Sequence, residues 1–94
     1  MVTRWARAAA VAVAIWGVPP CGPVGHGAEW LPAGELGYAQ PALCRIVVTR
    51  RRIGWERYCA TVVHEWGHLV GRRHSRNRRS IMWRRYHGEP RCLI

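Results

Sequence analysis

The chain has 94 residues, which allows one small domain and excludes a multidomain architecture. Its fifteen basic residues are all arginine, set against five glutamates with neither lysine nor aspartate, for a formal charge of +10. That balance attracts anionic surfaces, peptides or polymers, although all-arginine usage is also compatible with nucleotide bias in the coding sequence.

Residues 1–27 read as a secretory signal peptide. Arg4 and Arg7 make a basic start, residues 8–18 are apolar apart from Gly17, and small or turn-forming residues follow as far as Gly27. An apolar run of about 11 residues is too short to cross a bilayer as a helix, which takes about 20. Cleavage is expected near Gly27 or Ala28, taking His26 away and leaving a secreted domain over residues 28–94. The flanking Val18-Pro19-Pro20 argues against a lipid anchor on Cys21, so no stable membrane anchor is expected. Removal of the leader would leave Cys44, Cys59 and Cys92. In an oxidising compartment two of these can pair and one is left over; the alternative is three reduced, buried thiols. At roughly 66 residues a core alone is marginal, and a disulfide and a bound metal would both help the domain fold.

Residues 28–44 are punctuated by Pro32, Gly34, Gly37 and Pro41 and predict loop, with a short strand near residues 36–39. Residues 44–49, Cys-Arg-Ile-Val-Val-Thr, are β-branched and apolar and predict a strand. A basic turn follows, and then a helix over residues 55–70. Trp55, Tyr58, Cys59, Val62, Val63, Trp66, Leu69 and Val70 recur at steps of three and four and form one apolar stripe. His64 and His68 fall on the opposite side, among the small residues Ala60, Thr61, Gly67 and Gly71. Histidines serving only the core would lie within the stripe; these two face a side with little bulk, as an open cleft requires.

The end of this helix reads H-E-x-x-H-x-x-G-x-x-H from His64 to His74. Residues four apart on a helix lie on nearly one face, so His64 and His68 can aim two imidazoles at one ion. Imidazole is a preferred zinc ligand, and a catalytic zinc takes three protein ligands plus a water. Glu65 is placed to accept a proton from that water. Gly71 tolerates a left-handed conformation and breaks the helix, which lets His74 return to the same metal as third ligand. With this composition, chance gives the pattern in roughly one chain in ten thousand; the competing reading is a histidine-rich helix end without metal. After His74 come Ser-Arg-Asn-Arg-Arg-Ser and Ile81-Met82-Trp83, which predict turns and one short C-terminal helical turn. His87 is expected on the surface. A disulfide is expected to join Cys92 to Cys59 rather than to Cys44. Cys59 sits one turn into the helix and the tail must run back past it, whereas Cys44 begins a strand that should lie far from Cys59.

The histidine motif, with Met82 eight residues after His74, resembles the metzincin clan of zinc endopeptidases. Ser75 directly after the third histidine, and the spacing to Met82, are most similar to the matrixin branch. The resemblance covers residues 59–83. It implies an α+β fold: a minimal or truncated zincin-like domain with one active-site helix, one or two short strands and a loop-rich C-terminal part. It also implies Zn2+ held by His64, His68 and His74, Glu65 as general base and acid without being a ligand, and Met82 as an apolar floor beneath the metal. Some metzincins place a tyrosine two residues after that methionine; here the position is Arg84, so no such ligand is carried over. The family usually sets a multi-stranded sheet before its active-site helix, with an edge strand that pairs with substrate. Far less chain is available here, and residues 44–49 are the expected edge strand.

The expectation that results is a secreted, monomeric zinc metalloendopeptidase acting on a peptide or protein substrate. Acidic residues should be favoured near the scissile bond, because Arg72, Arg73, Arg76, Arg78, Arg79, Arg84 and Arg85 would rim the cleft. The alternative is a zinc-binding, catalytically inactive domain that binds anionic partners. A nucleic-acid-binding role for the same arginines has no supporting motif and is opposed by export, so no nucleic-acid partner is expected. No pro-segment with a cysteine switch is visible.

Overall fold

The computed structural model describes residues 1–85 and 88–93. Helix α1 spans Arg4–Trp16. Thr3 starts it, its hydroxyl accepting from the Ala6 amide at 3.0 Å and satisfying one of the free donors of the first turn. An alanine-rich segment of high helix propensity follows. The helix ends at Gly17, whose φ of 79° suits glycine and whose amide donates to the Val13 carbonyl. Helix α2 spans Trp55–Leu69. Ala8 and Ala12 of α1 are fully buried, and their small side chains bring α1 close against α2. Two indole donors lock the contact. Trp16 Nε1 donates to the Val63 carbonyl and Trp66 Nε1 to the Gly17 carbonyl, both at 2.9 Å.

Strands β1 (Gly25–Glu29), β2 (Gly37–Gln40) and β3 (Arg45–Thr49) form one sheet in the order β1-β3-β2. β1 runs parallel to β3 and β2 antiparallel, with Gly27 and Tyr38 both opposite Val47. The β-branched run of β3 takes the centre, and Ile46 and Val47 are fully buried. Helix α2 is the hub of the molecule. Its stripe of Cys59, Val62, Val63, Trp66 and Leu69 meets Ala8 and Ala12 of α1, Ile46 and Val48 of β3, and Cys92 in one core. Cys92 lies in a 3₁₀ turn, Pro90–Leu93, bonded to Cys59 as expected. The Trp55 Nε1 donor, at 2.6 Å from the Cys92 carbonyl, fastens the same turn.

The α+β class stands, but the sheet has three strands rather than one or two. β1 was missed because Gly-His-Gly-Ala-Glu has little strand propensity; it is a strand because the backbone of β3 needs a partner on that side. β3 is accordingly the central strand, and the edge strand beside the site is β2. The segment expected as a leader forms, in the full chain, α1 and the connection to β1, and the expected cleavage near Gly27 or Ala28 falls inside β1. Cys44, expected as the unpaired thiol once the leader is gone, is bonded to Cys21 in the full chain. Two disulfides point to an oxidising, extracellular-type environment. Among the described residues no helix is long and apolar enough to cross a membrane. His87, expected on the surface, lies outside the described residues.

Candidate metal centre

Helix α2 presents His64 and His68 beside β2, off the apolar stripe that meets β3, and ends at Leu69. The termination is a Schellman motif. The Gly71 amide donates to the His68 carbonyl at 3.1 Å and the Arg72 amide to the Gly67 carbonyl at 2.8 Å, around Gly71 at φ 93°. This reversal does two things. It sends the chain back so that His74 reaches the helix face, and it turns the Arg72 carbonyl toward His68, whose Nδ1 lies 2.9 Å away. His64 is held similarly, with Nδ1 at 2.7 Å from the Ile81 carbonyl. A carbonyl can only accept, so each Nδ1 carries the proton and each neutral ring keeps its Nε2 lone pair free.

One ring nitrogen from each of His64, His68 and His74 lies within 4.8 Å of the others. His68 Nε2 and His74 Nε2 are 3.2 Å apart. Two nitrogens at about 2.05 Å from one tetrahedral ion stand about 3.3 Å from each other, so this pair already has ligand spacing. The three residues can therefore hold a metal ion. Burial pushes the His64 pKa below its ordinary value, against the Ile81 carbonyl, and the neighbouring histidines lower it further. His74 is lowered as well, by partial desolvation, His68 and Arg84. Both shifts favour the neutral ring that a metal requires.

Glu65 Oε2 lies 3.9 Å from His64 Nε2. Its carboxyl is pushed up to about 7 by burial, an effect partly offset by a backbone hydrogen bond from Ala39 of β2. Met82 is buried and packs against Gly67, where an added Cβ would overlap its sulfur. The turn carrying it is tied down twice. The Met82 amide donates to Ser80 Oγ at 3.0 Å and the Ser75 amide to the Met82 carbonyl at 2.8 Å.

Two cavities flank His64 and Glu65. One, of about 430 Å³, runs between Gly34–Gly37, the Ala60–Thr61 side of α2 and the segment from Ile81 to Arg85. The other, of about 500 Å³, opens over the three histidines beside Gly37, Tyr38 and Ala39. The small face of α2 is thus partly covered: Ala60, Thr61 and Gly67 are buried, under β2 and Met82. Of the seven arginines expected to rim the cleft, only Arg84 and Arg85 line either cavity. Arg72 instead lies 5.5 Å from the Trp16 ring centroid.

The sequence reading missed the contribution of β2. Gly37 is what brings it close, since a Cβ there would meet the Val47 carbonyl at 2.7 Å and the Thr61 methyl at 2.8 Å. A glycine heading a short strand signal was visible; which element it would touch was not. No protein-family model, curated protein or solved structure matches the chain.

Proposed function

We propose that the chain is a secreted, zinc-dependent endopeptidase similar to the metzincins. The observation that carries the reading is the convergence of His64, His68 and His74 with a part-buried Glu65 in a cleft walled by the edge strand β2. His64, His68 and His74 would hold Zn2+, with their tautomers set by the Ile81 and Arg72 carbonyls. When bound, zinc supplies Lewis acidity toward water and a peptide carbonyl. Glu65 takes the proton of the attacking water and passes it to the leaving amine. The outer backbone edge of β2, apart from the Ala39 group already bonded to Glu65, offers an extended peptide a main-chain partner beside these groups. Met82 keeps the rear of the histidine cluster apolar. Export is supported by the Cys59–Cys92 disulfide, which does not depend on the N-terminal segment, and the composition of that segment is like a secretory leader's. The test is metal content of the purified chain together with peptide hydrolysis that stops on chelation and returns with zinc.

A second reading, a zinc-binding domain that does not turn over and binds anionic partners, is favoured by one observation. β2 is four residues long and the sheet has only three strands, which leaves a short groove for substrate. Full zinc loading without hydrolysis of any peptide would select it.

A further inference from the structure

The cavity of about 430 Å³ beside Glu65 differs from the opening over the histidines in the character of its walls. Leu36, Ala60, the Thr61 methyl and Ile81 make its sides apolar, while Arg84 and Arg85 stand at its exposed rim. Among the described residues neither arginine has a carboxylate partner: the ion pairs are His64 with Glu65 and Arg91 with Glu89. Arg84 rests over Trp83, its guanidinium 5.9 Å from the ring centroid, which leaves its donors free to meet an anion. The acidic groups lining this cavity are the part-buried Glu65 and the exposed Glu35. A side chain that fits has an apolar stem to lie along Leu36 and Ile81 and an anionic end to meet the two guanidinium groups. Glutamate has both, whereas leucine lacks the charge.

We propose that this cavity selects a glutamate next to the scissile bond, with Arg84 and Arg85 as the residues that set the preference. The proposal rests on the endopeptidase reading and narrows its substrate class to acidic peptides. The remaining arginines of the basic tail lie away from both cavities and take no part.

The test uses the zinc-loaded full chain and peptides identical except for Glu, Gln, Leu or Lys placed on either side of the cleaved bond. Glu is expected to exceed Gln by about fivefold in kcat/KM, the upper range for a solvent-accessible charge pair, with Lys slowest and the gap narrowing as salt rises. Arg84→Ser with Arg85→Ser should bring the Glu-to-Gln ratio close to one. Arg84→Lys with Arg85→Lys should retain a preference for Glu, and Arg76→Ser with Arg78→Ser should leave the ratio as in the wild type. Cleavage with no preference for Glu, or with a preference that survives loss of both arginines, overturns the proposal while leaving the endopeptidase reading in place. Zinc loading without cleavage of any member of the set overturns both.

Discussion

The Ser75 amide and the Met82 carbonyl are hydrogen-bonded at 2.8 Å, so the residue that follows the third histidine is tied to the turn that packs under the first two. His74 sits on a loop with no helix to fix it, and this bond is what couples its position to α2. Met82 reaches α2 only because position 67 has no side chain. Gly67→Ala should therefore destabilise the protein by about 1–3 kcal/mol, the usual cost of overpacking a filled site. It should also weaken metal binding, because moving Met82 moves Ser75 and His74 with it. Denaturant unfolding and a zinc competition titration check the two effects. Unchanged zinc affinity in a destabilised variant would show that the methionine turn does not position His74.

The metal-free protein should show a pH signature of Glu65. Its carboxyl titrates near 7 in the fold, above the ordinary value of 4.5, because burial disfavours the charge. A raised folded value means that stability is fully present below about pH 4.5 and is lost as pH rises through about 7. One pKa unit corresponds to about 1.4 kcal/mol, so the loss is about 3 kcal/mol across that window. His64 and His74 act in the opposite sense: their lowered values cost stability as pH falls through and below their ordinary 6.5. The comparison must therefore be with Glu65→Gln, in which both histidines remain. With chelator present, the variant should gain stability over the wild type as pH rises from about 4.5 to 7. A difference that stays flat across that range would mean the carboxylate is already solvated.

A chain beginning at Ala28 should be markedly less stable than the full chain. It lacks α1, which covers Val62, Val63 and Trp66 with Ala8 and Ala12, and it lacks Cys21. The Cys21–Cys44 crosslink closes a loop with a sequence separation of 23, worth about 3 kcal/mol by loop entropy alone. The shortened chain should show one reactive thiol, at Cys44, and a lower Tm at equal zinc. Equal Tm values for the two chains would show that α1 contributes nothing to the fold.

The parts of the site that depend on local rules were legible in the sequence. The four-residue step from His64 to His68, the left-handed Gly71 and the return of His74 are consequences of helix geometry and one cap. The Cys59–Cys92 pairing followed from the same helix and the direction of the tail. The order of the sheet was not legible. Which side of β3 is taken by Gly25–Glu29 and which by Gly37–Gln40 is decided by long-range pairing, and neither strand has a strong propensity. The N-terminal segment reads two ways for a physical reason: an alanine-rich helix with basic residues at its start satisfies the requirements of an export leader and of a core helix alike. Thr3 as a cap and the Ala8–Ala12 spacing were the signals for the second role. The arginines were over-assigned to the cleft because a loop's sequence does not say which way each side chain leaves it.

In the proposed function the three histidines hold a zinc ion at which Glu65, itself not a ligand, moves protons. The most direct measurement is zinc content and hydrolysis rate, on one preparation each, for the wild type and Glu65→Gln. The neutral amide has the same shape and leaves His64, His68 and His74 in place, but it cannot accept a proton from water. One zinc per chain is expected in both proteins, with a rate lower by about a hundred- to ten-thousand-fold in the variant. Loss of zinc from Glu65→Gln would make the glutamate a ligand, and hydrolysis at the wild-type rate would place the base elsewhere; either result overturns the proposed function.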